Sequence, residues 1–162
     1  MKDRPLSFII LATLLCIALP VSATTDTFSN NYIPKITFSH FSTNEGLSQS
    51  TVVSSCQDKF GRMWFATHDG LNMFDGHRFT IYKNVQKDST SLINNIIRHV
   101  YCDNEGGIWI GTEKGLSYYD ITKDSFRNFP TQNRPVSGIA EAGDEELMIA
   151  AGGNILFFDT DS

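Results

Sequence analysis

The chain predicts an all-β fold made of repeated four-stranded sheets, and three observations carry that prediction. Residues 61–67 read Gly-Arg-Met-Trp-Phe-Ala-Thr, and residues 106–112 read Gly-Gly-Ile-Trp-Ile-Gly-Thr, 45 residues later. The offset holds beyond that match: Asp58 returns as Asp103, Gly70 as Gly115, Leu71 as Leu116 and Asp75 as Asp120. Between these marks lie short runs rich in β-branched and aromatic residues, bounded by Asp, Asn and Gly, which is how strands and turns read. A repeat of about 20–50 residues marks a solenoid, propeller or array, whose units bury their faces against one another.

Taken in order, residues 1–23 read as a secretory signal peptide. Lys2 and Arg4 supply the basic start, 6–19 the apolar run, and Val21-Ser22-Ala23 the small-residue cleavage site. A signal anchor is the alternative, but the run falls short of the ~18–20 residues a spanning helix needs. Residues 24–35 read as a linker. In 36–42, Phe38 and Phe41 have the spacing of Phe79 and Tyr82 and of Phe126 and Phe129. That segment is therefore expected to be an isolated fourth strand, closing the last sheet of a ring.

The first full unit covers 47–82, with strands expected at 51–57, 63–67, 71–74 and 78–82. The second covers 92–129, with strands at 96–102, 108–112, 116–119 and 126–129. Asp58 and Asp103 end the first strands, where an Asp carboxylate bonds backbone amides of its own turn. Gly61 and Gly106 follow three residues later to take φ > 0. His68-Asp69-Gly70 and Glu113-Lys114-Gly115 form the next tight turns, after Thr67 and Thr112. Side chains alternate along a strand, so Trp64 shares a face with Ala66 and Trp109 with Gly111, while Phe65 and Ile110 point the other way. Both faces of each sheet are apolar, so each needs a neighbour on both sides, as propeller blades have.

A weaker third copy spans 136–162, with strands expected at 136–142, 147–151 and 155–158. Met148 stands at the tryptophan position, and Asp159 matches Asp120 at an offset of 39. The fold class is thus all-β, a β-propeller fragment with two complete four-stranded blades, a partial third and an N-terminal closing strand. Two blades and part of a third fall short of the four or more a propeller requires, so the chain is expected to belong to a longer one.

Composition narrows the function. A net charge of −5 and the lack of a basic run speak against nucleic acid. His40, His68, His77 and His99 show no metal-ligand spacing, and 103–106 and 143–146 read as turns rather than calcium loops, so no metal or cofactor is expected. No nucleophile–base arrangement or phosphate loop is present. The many aromatics at strand spacing read as blade core, with a glycan-stacking surface as the alternative. Cys16 leaves with the signal. Cys56 lies two residues before Asp58 but Cys102 only one before Asp103, so the two should point to opposite faces of equivalent strands, and no disulfide between them is expected.

These residues carry a family resemblance. Residues 52–75 and 97–120 resemble the two-component regulator propeller repeat, through Asp-x-x-Gly, Trp-[Ile/Phe]-[Gly/Ala]-Thr, Gly-Leu and Asp. Phe38-Ser39-His40-Phe41 and Glu45-Gly46-Leu47-Ser48-Gln49-Ser50 resemble the mature start of hybrid two-component sensors. The resemblance covers 36–129 well and 136–159 weakly. It implies a periplasmic or secreted sensor module whose full-length relatives are anchored in the inner membrane and carry a histidine kinase. It further implies an oligosaccharide ligand, control of polysaccharide-utilisation genes, partner blades downstream, and room for a homodimer in the full-length sensor. This chain itself carries no kinase motif, so it is not expected to be an enzyme.

Antiparallel strands put the turns between strands two and three on the same edge as the inter-blade connections. Ligand-binding candidates on that edge are His68, Asp69, Glu113 and Lys114, while Asp58, Gly61, Trp64, Thr67, Gly70, Asp103, Gly106, Trp109, Thr112 and Gly115 are read as architecture. A secreted protein-interaction scaffold is the alternative function, and a propeller lyase or glycosidase a further one.

Overall fold

The structure is a computed structural model, and it describes residues 36–143 and 145–160. The expected signal peptide and linker, 1–23 and 24–35, lie outside the described residues. Contacts divide the chain into two units, Met1–Phe38 and Ser39–Ser162. Of the first, Ile36 and Phe38 are exposed. The second holds three antiparallel sheets.

Blade 1 is β1 (Val52–Gln57), β2 (Met63–Thr67), β3 (Gly70–Phe74) and β4 (Phe79–Tyr82), paired in sequence order. Blade 2 repeats it as β5 (Ile97–Cys102), β6 (Ile108–Thr112), β7 (Gly115–Asp120) and β8 (Ser125–Pro130). Blade 3 is β9 (Val136–Gly143), β10 (Glu146–Ala151) and β11 (Asn154–Asp159). Each strand expected within the three blades lies within a few residues of its place, and in blades 1 and 2 Asp-x-x-Gly and Thr-x-x-Gly turns pin the central hairpin. A register shift breaks the first strand of every blade, between Val52 and Ser54, between Ile97 and His99, and opposite Ala150 and Ala151. Its recurrence puts the degraded third copy in register with the other two.

Residues 36–42, expected as an isolated strand, form no ladder. A strand exists only through pairing, and here the chain turns instead. Ser42 caps a 3-10 turn, Thr43–Glu45, in a capping box, and Gly46 closes it at φ 111°. Phe41 rests against Phe74 and Phe79, with ring centroids 5.0 and 5.9 Å apart. Ser48 then bonds Asn72 and Thr67 on the face of blade 1 turned away from blade 2.

The blades stack through their apolar faces. Trp64, Ala66 and Leu71 of blade 1 meet Val100, Ile108 and Ile110 of blade 2. Trp109 and Leu116 on the other face of blade 2 meet Val136, Ile139, Leu147 and Ile149 of blade 3. Blade 2 is covered on both sides, and all five residues of β6 are buried. Gly111 shows how close the approach is: a Cβ there would lie 2.5 Å from the Val136 carbonyl oxygen.

The expectation for the cysteines is also corrected. Cys56 and Cys102 form a disulfide, with their Cα atoms 5.9 Å apart. The two cysteines do lie on opposite faces of equivalent strands. Stacked blades meet by opposite faces, the front of one on the back of the next. Cys56 pairs across the ladder with Trp64, on the front of blade 1, and Cys102 with Ile108, on the back of blade 2. The register difference therefore brings the sulfurs together rather than apart.

Candidate functional site

Two edges of the stack carry turns. On the first, the buried Thr67 hydroxyl donates to the Gly70 carbonyl at 2.8 Å and accepts from Asp69 N–H at 3.1 Å. Thr112 does the same with Gly115 and Lys114, at 2.9 and 3.2 Å. Gly115 is needed because a Cβ would lie 2.5 Å from the Phe129 carbonyl oxygen. These bonds hold the candidate residues at the tips of rigid hairpins. Asp69 pairs with Lys83 at 2.7 Å, and Glu113 pairs with Arg98. Each acid is thus engaged by a cation within its own blade or adjoining loop. His68 and Lys114 stand exposed. Lys114 borders a cavity of about 420 Å³ with Asn84, Lys87, Asp88, Ile93 and Asn128.

The second edge holds the turns after the first and third strands. Asp58 is buried there. Its carboxylate accepts from the backbone N–H groups of Phe60 and Arg62, from Arg62 Nε, and from the indole Nε1 of Trp64 at 2.9 Å. Burial alone would raise its pKa, but the bonds from Trp64, Arg62 and the backbone outweigh it and hold the carboxyl below its ordinary value. Asp103 repeats the device, accepting from Gly107 N–H at 2.6 Å and from Trp109 Nε1 at 2.9 Å. The Asp–indole bond was missed in the sequence, although Asp and Trp stand six residues apart in both copies.

Beside these turns lies a cleft of about 370 Å³, bordered by Lys59 and Phe60 of blade 1, by Tyr118, Asp120, Thr122 and Arg127 of blade 2, and by Thr160. It falls on the edge opposite His68, Asp69, Glu113 and Lys114. Its signal in the sequence is a difference between the copies: Phe60 stands where the second copy has Glu105. Among the described residues no group of three or more His, Cys, Asp or Glu is arranged to hold a metal.

Stacked antiparallel blades, two of them locked by an Asp–Trp bond and all joined through their first strands, are those of a β-propeller. Residues 46–69 and 91–114 match the family described as two component regulator propeller, and the chain carries two copies of that repeat. A stretch of 55 residues is 54% identical to Histidine kinase P4 of Formosa agariphila, covering 34% of this chain and 4% of the kinase. The extracellular domain of the hybrid two component system BT4673 from B. thetaiotaomicron is similar in structure, at 26% identity and a TM-score of 0.56, over 68% of this chain and 17% of that one. A further structure from BT4673, described as a one component system, matches at 25% identity and a TM-score of 0.55, over 68% and 16%. The chain therefore spans a small part of each of these relatives. Its blades are of the kind found in the extracellular sensor domains of two-component systems.

Proposed function

We propose that the chain is part of a periplasmic or secreted sensor propeller that responds to an oligosaccharide and controls polysaccharide-utilisation genes through a linked histidine kinase. The observation that carries this reading is the pair of regulator propeller repeats, 46–69 and 91–114, together with a 55-residue stretch 54% identical to part of a histidine kinase. The blades supply a rigid frame, and the turns supply positions free to vary. The kinase, the output domain and the ligand belong to the proposal. Deleting the gene that encodes the chain should abolish induction of one polysaccharide-utilisation operon by its oligosaccharide. Unchanged induction across a full panel of polysaccharides would overturn the reading.

A further inference from the structure

The two copies act as an internal control. Positions they share serve the architecture, and an exposed position where they differ is free of it. The turn Lys59-Phe60-Gly61-Arg62 of blade 1 faces Asn104-Glu105-Gly106-Gly107 in blade 2. Both turns keep the glycine at positive φ and the buried Asp that accepts the indole N–H. They differ at Phe60, a ring left 62% exposed. Among the described residues its ring contacts are with cations, Lys59 at 5.6 Å and Arg62 at 5.2 Å. A phenyl group in solvent serves no fold that Glu105 serves equally well at the same place.

The exposure of Phe60 does not come from an uncovered sheet face. Its turn lies at the junction of blades 1 and 2, where Lys59 Nζ donates to the Glu105 carbonyl and lies across Gly106. The cleft that Phe60 borders is bounded by blades that are both present. Its about 370 Å³ falls at the small end of the range for small-molecule sites, about 300–1,000 Å³. The lining combines three aromatic residues, Phe60, Trp109 and Tyr118, with two cations, three carboxylates and the hydroxyls of Thr122 and Thr160. Two cations against three carboxylates give an anion no net pull. An aromatic platform ringed by donors and acceptors suits a ring that has an apolar C–H face and hydroxyls around its rim.

We propose that this cleft binds a neutral saccharide unit, stacked on Phe60 and hydrogen-bonded by Asp120, Thr122 and Arg127. The proposal rests on the oligosaccharide reading above and adds the place and the charge class of the ligand. It puts the site on the edge opposite His68, Asp69, Glu113 and Lys114.

The test is titration of the full chain with cellotriose, maltotriose, xylotriose, mannotriose and galactotriose, with tri-galacturonate as the anionic control, followed by calorimetry and ligand-observed NMR. At least one neutral trisaccharide should bind. Phe60→Glu installs the residue the second copy already tolerates, so tryptophan emission and circular dichroism should stay unchanged while affinity falls by at least about tenfold. Phe60→Tyr should keep the affinity. If a trisaccharide binds equally to Phe60→Glu but loses affinity in Lys114→Gln, the cleft is wrong and the oligosaccharide reading stands. Binding of tri-galacturonate alone would likewise overturn the neutral class and leave that reading intact. Binding of no sugar in the set would overturn the cleft proposal, while the gene-induction experiment decides the broader reading by itself.

Discussion

Asp58 and Asp103 each reach from a turn to the indole N–H of a tryptophan six residues on, at 2.9 Å in both blades. A buried indole donor without a partner costs about 1–3 kcal/mol, so the acceptor explains why a carboxylate sits under blades 1 and 2. Asp58→Asn tests this. One of the two side-chain oxygens becomes an NH₂ group, and either the turn or the Trp64 N–H loses its acceptor. Urea unfolding at pH 7 should show a loss of about 1–3 kcal/mol. The pH dependence follows from the depressed pKa of Asp58. Its contribution is complete above the unfolded carboxylate value of about 4 and is lost as pH falls through the lower folded value. The wild-type chain should therefore lose stability more steeply below pH 4 than Asp58→Asn. Parallel curves for the two proteins would show that the carboxylate is not held in this way.

At the scale of elements, two contacts set the spacing of the blades. Gly111 lets β9 approach, and the equivalent Ala66 in blade 1 shows that a methyl group fits the other junction. Gly111→Ala should nevertheless destabilise the chain by about 1–3 kcal/mol, because the atom it meets is backbone and cannot rotate away. Thermal unfolding that matches wild type would mean blades 2 and 3 are less tightly stacked than the structure has them. The Cys56–Cys102 bond ties β1 to β5 across 46 residues of sequence. A loop of that size gives roughly 4 kcal/mol in the chain-entropy account, so replacing both cysteines by serine should cost up to about that much. Peptide mapping under non-reducing conditions should recover the two cysteines as one linked pair. The strand positions were legible because Asp, Gly and Thr mark the turns with fixed spacing. The disulfide was not, since comparing equivalent faces answers the wrong question when neighbouring blades meet front to back. Phe60 was hidden for a different reason: strand periodicity absorbs aromatics into the core, and Phe60 lies in a turn.

At the largest scale the second unit, Ser39–Ser162, is a stack with uneven ends. Blade 1 carries Phe41 and the 3-10 turn on its outer face, whereas Ile155 and Phe157 on the outer face of blade 3 remain 65% and 63% exposed among the described residues. Such a face drives association. Ile155→Thr with Phe157→Thr should shift the chain toward smaller species in light scattering, and an unchanged distribution would place any association elsewhere. The repeat made the stacking legible from sequence alone, because two apolar faces per sheet leave no other way to bury them. A ligand edge is less legible: His68, Asp69, Glu113 and Lys114 follow from topology, and topology gives two edges of equal standing. The most direct test of the stack uses its two tryptophans, one per blade junction. Trp64→Phe and Trp109→Phe leave one reporter each. Acrylamide quenching of each native variant should be weak and its emission blue-shifted, with both properties lost in one cooperative step on unfolding. Ready quenching of either tryptophan in the native chain would contradict the account.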